Sequence, residues 1–208
     1  MTLELTSKIT SYPDSHYLDN QIKNKIPEFS FFKKPISNTQ PYKSINVLDV
    51  YTLIKGHWNI ERTQELRQIK NVEQARAFKA SQFNYVCFSG IFTKRSEKYF
   101  KHHSGLMVLD FDHLSDVEGV KDMLLKDESL DTVLLFRSPS GDGLKWVITI
   151  DICLMDHKNY FKAVCNYLKQ SYQLEVDGSG KDVARACFLP YDPQVYINPK
   201  YLNHGETV

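Results

Sequence analysis

The segment Leu106-Met-Val-Leu-Asp-Phe-Asp112 is apolar for four residues and then sets two carboxylates one residue apart. The unbroken apolar run reads as a buried central strand, with no alternation to mark a solvent face. Residues i and i+2 of a strand share a face, so Asp110 and Asp112 stand on the same side, roughly 6 to 7 Å apart at the backbone. Carboxylate oxygens converging from such a pair are hard ligands suited to Mg²⁺ or Mn²⁺. The plainer alternative is a strand that leaves the core and finishes on a polar turn.

What surrounds that strand narrows the choice. The 208 residues suffice for one sizeable core, and 42% apolar with 25% charged residues is ordinary globular composition. A formal net charge of +1 argues against coating nucleic acid by bulk charge, while leaving room for a local basic groove. Cys87, Cys153, Cys165 and Cys187 are widely spaced, which indicates neither a zinc site nor a disulfide framework. They read as buried thiols in a reducing cytoplasm. No apolar run approaches the about 20 residues that span a bilayer, so no membrane role is expected.

Along the chain, residues 1–27 read as a polar lead-in, 28–198 as one domain and 199–208 as a tail. Glu28 to Lys34 reads as a strand closed by Pro35, and Ile45 to Ile54 as a helix ended by Gly56. Asn59 to Phe83 has helical spacing with a charged outer face, on which Arg62, Arg67 and Arg76 are expected to be solvated. Tyr85 to Phe92 reads as one strand containing a glycine, followed by the basic stretch from Lys94 to His103. Adjacent His102 and His103 would point in different directions, a poor chelate better read as polar surface. Ser115-Asp-Val-Glu118 has the form of a capping box and predicts a helix to about Lys126. Asp156 is placed to cap another helix to about Tyr172.

Two further stretches bear on chemistry. Thr132–Arg137 and Leu144–Ile150 read as strands joined through Ser138-Pro-Ser-Gly-Asp-Gly143, a hairpin. The glycines either serve the turn alone, or let backbone N–H groups of Gly141 and Gly143 approach phosphate oxygens. In the second case Ser138 or Ser140 would donate hydroxyls and Lys145 a point charge. Val176 to Pro190 opens with Asp177, continues through a glycine-rich loop containing Asp182, and carries Arg185 before a short apolar strand. Either Asp177 or Asp182 could be the third metal ligand; Asp177, at the end of an extended segment, is the expected partner of Asp110, and Asp182 the expected ion-pair partner of Arg185.

The order Asp-x-Asp, Ser-Gly-x-Gly-x-basic, then Asp with a trailing Arg resembles the archaeo-eukaryotic primase superfamily, the primase-polymerases. More closely, Phe31-Phe-Lys-Lys-Pro35, Phe88-Ser-Gly-Ile-Phe92, Ser104-Gly-Leu, Asp110-Phe-Asp, Ser138 to Lys145 and Arg185-Ala-Cys-Phe resemble the VirE N-terminal domain family. That family is a primase-like group found mainly in Bacteroidetes and their mobile elements. The resemblance implies an α/β (α+β) fold: a primase-like catalytic core with an RRM-like palm sheet and an N-terminal α/β unit. It implies that Asp110, Asp112 and Asp177 hold two divalent ions, Mg²⁺ or Mn²⁺. Ser138, Ser140, Gly141, Gly143, Lys145 and Arg185 would then bind a nucleoside triphosphate. The implied activity is template-dependent primer synthesis or polymerisation on single-stranded DNA, in replication of a mobile element or phage, with a replicative helicase as a further partner. Lysine at 145 departs from the histidine of the primase-polymerase pattern, and a flexible ammonium positions a phosphate less tightly than a ring donor.

Two rivals share parts of this pattern. Phosphatases of the haloacid dehalogenase type also end a strand in Asp-x-Asp, but want Thr or Val two residues later, where this chain has Leu114. A primase-fold module that binds nucleotide or nucleic acid without catalysis keeps the same motifs. If the aspartates are metal ligands that repel one another, Asp110→Asn and Asp112→Asn should leave stability unchanged or raised.

Overall fold

The computed structural model describes residues 26–202. Most of the expected 1–27 lead-in and residues 203–208 of the expected tail lie outside the described residues. The chain forms a mixed α/β fold of antiparallel sheets. One sheet has the order β2 (Lys43–Asn46), β1 (Glu28–Phe32), β3 (Tyr85–Cys87), β9 (Cys187–Phe188). The other has the order β10 (Tyr196–Ile197), β7 (Thr132–Arg137), β8 (Leu144–Thr149), β6 (Leu106–Phe111). A separate two-stranded ribbon pairs β4 (Gly90–Phe92) with β5 (Phe100–His103).

The apolar run of β6 is explained by cover on both faces. Met107, Leu109 and Phe111 pack with Leu124 of α4 (Val117–Leu125) and with Phe161, Val164 and Leu168 of α5 (His157–Tyr172). Leu106 and Val108 face the opposite way, into a core shared with Phe29, Phe31, Ile45 and Val86 of the first sheet. The second sheet is thus sandwiched between two helices and the first sheet. Among the described residues β6 is nonetheless a sheet edge and not a central strand, because β8 alone pairs with it in the ladder. Its outer side receives one backbone bond, Asp177 N–H to the Asp110 carbonyl at 2.9 Å.

Several local expectations shift. Ile45 belongs to β2, and α1 (Val47–Lys55) starts after Asn46, whose side chain accepts from Leu48 and Asp49 N–H in a full capping box. Between Asn59 and Phe83 the helix breaks in two, α2 (Ile60–Gln68) and α3 (Val72–Gln82), because Asn71 caps a new start by accepting from Gln74 N–H. Tyr85 to Phe92 splits into β3 and β4, which belong to different sheets. Asp116, not Ser115, caps α4 by accepting from Gly119 N–H, while Glu118 pairs with Arg137 at 2.5 Å. Asp156 caps α5 as expected. The tail begins inside the fold, since α6 (Pro199–Leu202) buries Tyr201 in the inter-sheet core. Of the cysteines, Cys87 and Cys187 are buried and Cys153 is exposed; all four are free thiols.

Candidate functional site

Strand alternation fixes where the carboxylates point. Leu106 and Val108 face the first sheet, so Asp110 falls on that face at the end of the strand, and Asp112 continues the row. Asp177 arrives beside them because its N–H bonds the Asp110 carbonyl. Ligand oxygens of Asp110, Asp112 and Asp177 all lie within 4.8 Å of one another. Asp110 is buried, Asp177 half-buried and Asp112 exposed.

Two cations enter the cluster from different directions. Lys145 stands directly opposite Asp110 in the β6–β8 register, and its ammonium pairs with Asp110 Oδ2. Arg185 Nη2 reaches the same Oδ2 at 3.1 Å and Asp177 Oδ2 at 2.8 Å. Burial works against ionising Asp177, but the hydroxyl and amide of Ser179 together with Arg185 outweigh it, and the carboxyl titrates below its ordinary range. Asp110 Oδ1, by contrast, is buried and has no hydrogen-bond partner among the described residues.

Asp110, Asp112, Lys145 and Arg185 line a cavity of about 360 Å³ at the seam of the two sheets, and Asp177 stands behind its wall, beside Asp110. Its other wall carries residues that the sequence reading did not single out as site residues: Ile36, Lys79 of α3, Arg95, Lys181 and Phe188. Lys79 makes no salt bridge with the described residues; burial and the neighbouring Lys145 both lower its pKa. Arg95 lies over the Tyr85 ring at 5.1 Å and donates to the Ile36 carbonyl at 3.1 Å, with its Nε buried and without a partner among the described residues. Lys79 was hidden in the charged face of a surface helix, and nothing in a basic run tells which member turns inward.

For the hairpin, expected either as a plain turn or as a loop whose N–H groups approach phosphate, the structure shows mainly contacts to neighbouring elements. Of its residues only Pro139 and Lys145 line the cavity. Ser140 is exposed, and Ser138 is buried with its hydroxyl unpaired. Gly143 passes so close to β6 that a Cβ there would stand 2.1 Å from the Phe111 carbonyl oxygen. Gly141 adopts φ +91°, and Arg67 covers it, donating to the carbonyls of Pro139 and Ser138 at 3.3 Å each. Arg67 is exposed, as expected of the charged face, and from there it also clamps the hairpin. Asp142 completes the attachment, taking Leu114 N–H on its carbonyl at 2.8 Å and His113 Nδ1 on its carboxylate at 2.8 Å.

Two other expectations fail on contact. Asp182 does not form a side-chain ion pair with Arg185; its carboxylate accepts from Ala184 N–H. His103 does not lie open to solvent but is half-buried, its Nε2 lying 3.0 Å from His157 Nδ1. Gly105 N–H donates to His103 Nδ1, so the proton of neutral His103 sits on Nε2 and points at His157. His157 Nε2 in turn reaches the Gly180 carbonyl, 3.1 Å away in the loop that carries Asp177.

Residues 77–197 match the model of the BT4734-like, N-terminal domain family. The chain belongs to that family. The match covers more than half of the 208 residues, running from α3 to β10 and including Lys79, Asp110, Asp112, Lys145, Asp177 and Arg185. It is a different family from the VirE N-terminal domain family that the motifs resemble. No curated protein and no solved structure matches the chain. Among the described residues no helix is long and apolar enough to cross a membrane.

Proposed function

We propose that this domain is a primase-like, metal-dependent nucleotidyltransferase acting on nucleoside triphosphates, with single-stranded DNA as template. The observation that carries the reading is the convergence of Asp110, Asp112 and Asp177, the first two of which line a cavity whose remaining polar lining is largely cationic. The order β6, α4, β7, β8, α5 and the sheet order β10-β7-β8-β6, with Asp177 on the free side of β6, supports an RRM-like palm within a primase-type core.

The donor set suits Mg²⁺ or Mn²⁺. All three groups offer only carboxylate oxygens, and the orphaned Asp110 Oδ1 is a buried acceptor that a cation would satisfy. Held there, such ions would stabilise charge on both the attacking 3′-oxygen and the leaving phosphate oxygen. The protein's own residues do the rest. Lys145, Arg185 and Lys79 face the cavity and can take the negative charge of a triphosphate. Ile36, Pro139 and Phe188 offer apolar surface to the remainder of the nucleotide, in a cavity within the size range of small-molecule sites. The Gly143 contact and the Asp142 clasp fix the turn carrying Asp112 against the hairpin carrying Lys145.

The test incubates purified protein with labelled NTPs or dNTPs, Mn²⁺ or Mg²⁺ and single-stranded DNA, and resolves products on a denaturing gel. Metal-dependent extension products that vanish in Asp112→Asn are expected. Lysine at 145 favours a second reading, a module that binds nucleotide without transferring it. Metal-dependent triphosphate binding with no product under any of these conditions would decide for that module.

A further inference from the structure

The ion pairs around Asp110 set a competition. Asp110 Oδ2 already accepts from Lys145 and Arg185, and Arg185 also holds Asp177. Three carboxylates and these two cations leave one net negative charge, so a lone divalent ion meets little attraction and must displace ammonium or guanidinium from the oxygen it needs. Lys145 cannot simply leave. Lys145 is on a strand directly across from Asp110 with its side chain only 11% exposed, and without it Asp110 would be a buried charge lacking its closest partner.

We propose that the site takes a divalent ion and a polyphosphate as one ligand, with Lys145 and Arg185 as counter-ions that pass from Asp110 to the phosphates as the ion arrives. Polyphosphate oxygens draw the two cations off the carboxylates, and the freed carboxylates accept the ion. Each half of the ligand thereby prepares the place of the other, and their binding is reciprocally coupled. Lys79 plays a different part. It lines the same cavity without a carboxylate partner among the described residues, so it attracts the anion without competing for the metal oxygens. The inference rests on the metal-nucleotide reading above and specifies the form in which the ligand binds.

The competition makes a counter-intuitive forecast: removing a positive charge from a nucleotide site should improve metal binding. Mn²⁺ alone is titrated into the full chain while the electron paramagnetic resonance of free Mn²⁺ is followed, in wild type, Lys145→Met, Arg185→Gln and Lys79→Met. Binding of the Mn²⁺ complex of a fluorescent nucleoside triphosphate is followed in parallel by anisotropy. Lys145→Met and Arg185→Gln are expected to bind bare Mn²⁺ about tenfold tighter than wild type, as loss of a competing charge close to the ligand predicts. Both are expected to bind the nucleotide complex more weakly. Lys79→Met should weaken the nucleotide complex and leave bare Mn²⁺ nearly unchanged. Thermal melts show which variants are folded, and if Lys145→Met is not, Arg185→Gln at a third-exposed position decides alone. Bare Mn²⁺ binding that is unchanged or weaker in the folded variants overturns the counter-ion exchange while leaving the metal site standing. Absence of Mn²⁺ binding in every protein, with and without nucleotide, overturns the underlying reading as well.

Discussion

Asp110 and Asp112 are neighbours but one in the chain and two different kinds of carboxylate in the fold. Asp110 is buried and paired with Lys145 and Arg185, whereas Asp112 is exposed and makes no salt bridge among the described residues. The sequence expectation that both asparagine variants keep their stability therefore divides. Asp110→Asn leaves Lys145 without its partner and should lower unfolding free energy by up to roughly 3–5 kcal/mol, the range for breaking a buried pair. Asp112→Asn should stay within about 0.5 kcal/mol of wild type. Urea denaturation of the two variants measures the difference. The choice between Asp177 and Asp182 is also a matter of neighbours, because only Asp177 is bonded to the backbone of Asp110. Asp177→Ala should abolish saturable Mn²⁺ binding and Asp182→Ala should retain it in the same titration. The Asp-x-Asp pair and Asp177 were legible because both follow apolar residues, which sets carboxylates at the end of an extended segment. Lys79 and Arg95 were not, because inward and outward lysines on a surface helix or loop have identical local sequence.

Elements hold these groups at fixed separations. The hairpin between β7 and β8 is seated against β6 through Gly143, where an added methyl would meet the Phe111 carbonyl at 2.1 Å, while nothing lies within 4 Å of one placed on Gly178. Gly143→Ala should cost about 1–3 kcal/mol, as overpacking does, and weaken nucleotide binding. Gly178→Ala should change stability by no more than about 0.5 kcal/mol. Chemical denaturation and nucleotide anisotropy on both variants check this. The paired histidines act at the other end of the Asp177 loop. Burial, then the neighbouring His157, hold the His103 pKa down to about 4, from an ordinary 6.5. The unfolded chain thus binds the proton first: His103 contributes full stability above pH 6.5 and loses it progressively as pH falls toward 4. Glu97, Asp156, Lys158, Lys181 and Asp182 line the adjoining hollow, and Asp156 and Asp182 oppose the lowering at His157. The urea midpoint of wild type should drop between pH 7.5 and 5, and His103→Gln should flatten that drop. Strands β6, β7 and β8 and helix α5 were legible from their apolar patterns. The break between α2 and α3 and the split of β3 from β4 were not, since both depend on which sheet receives the chain.

The two sheets make one folding unit. Phe29, Phe31, Ile45, Val47, Val50 and Ile54 all pack into the core that also holds Leu106, Val108, Leu134, Phe136 and Val147. At about 1.5–3 kcal/mol for each buried side chain, those six contribute about 9–18 kcal/mol, comparable to the whole net stability of about 5–15 kcal/mol of an ordinary domain. A fragment of residues 77–202, which holds the whole family match, should therefore fail to fold by itself. Dye binding to exposed apolar surface and a non-cooperative melt would be its signature; a cooperative transition like that of the full chain would refute the claim. The site inherits this dependence, because the cavity has walls from both sheets. The order of strands in the first sheet, which joins β1 and β2 to β9 from the far end of the chain, could not be read from local patterns.

The direct opposition of Asp110 and Lys145 in the ladder has a hereditary consequence. A change at either position strands a charge between two packed layers, so neither position is free to drift alone. Among descendants of a common ancestor the two should be kept together or lost together, and a relative with a neutral residue at 110 should carry a neutral one at 145. Asp112, on the exposed turn, answers to no such partner in the ladder, so in a lineage that abandons metal chemistry it should be the first of the three aspartates to vary.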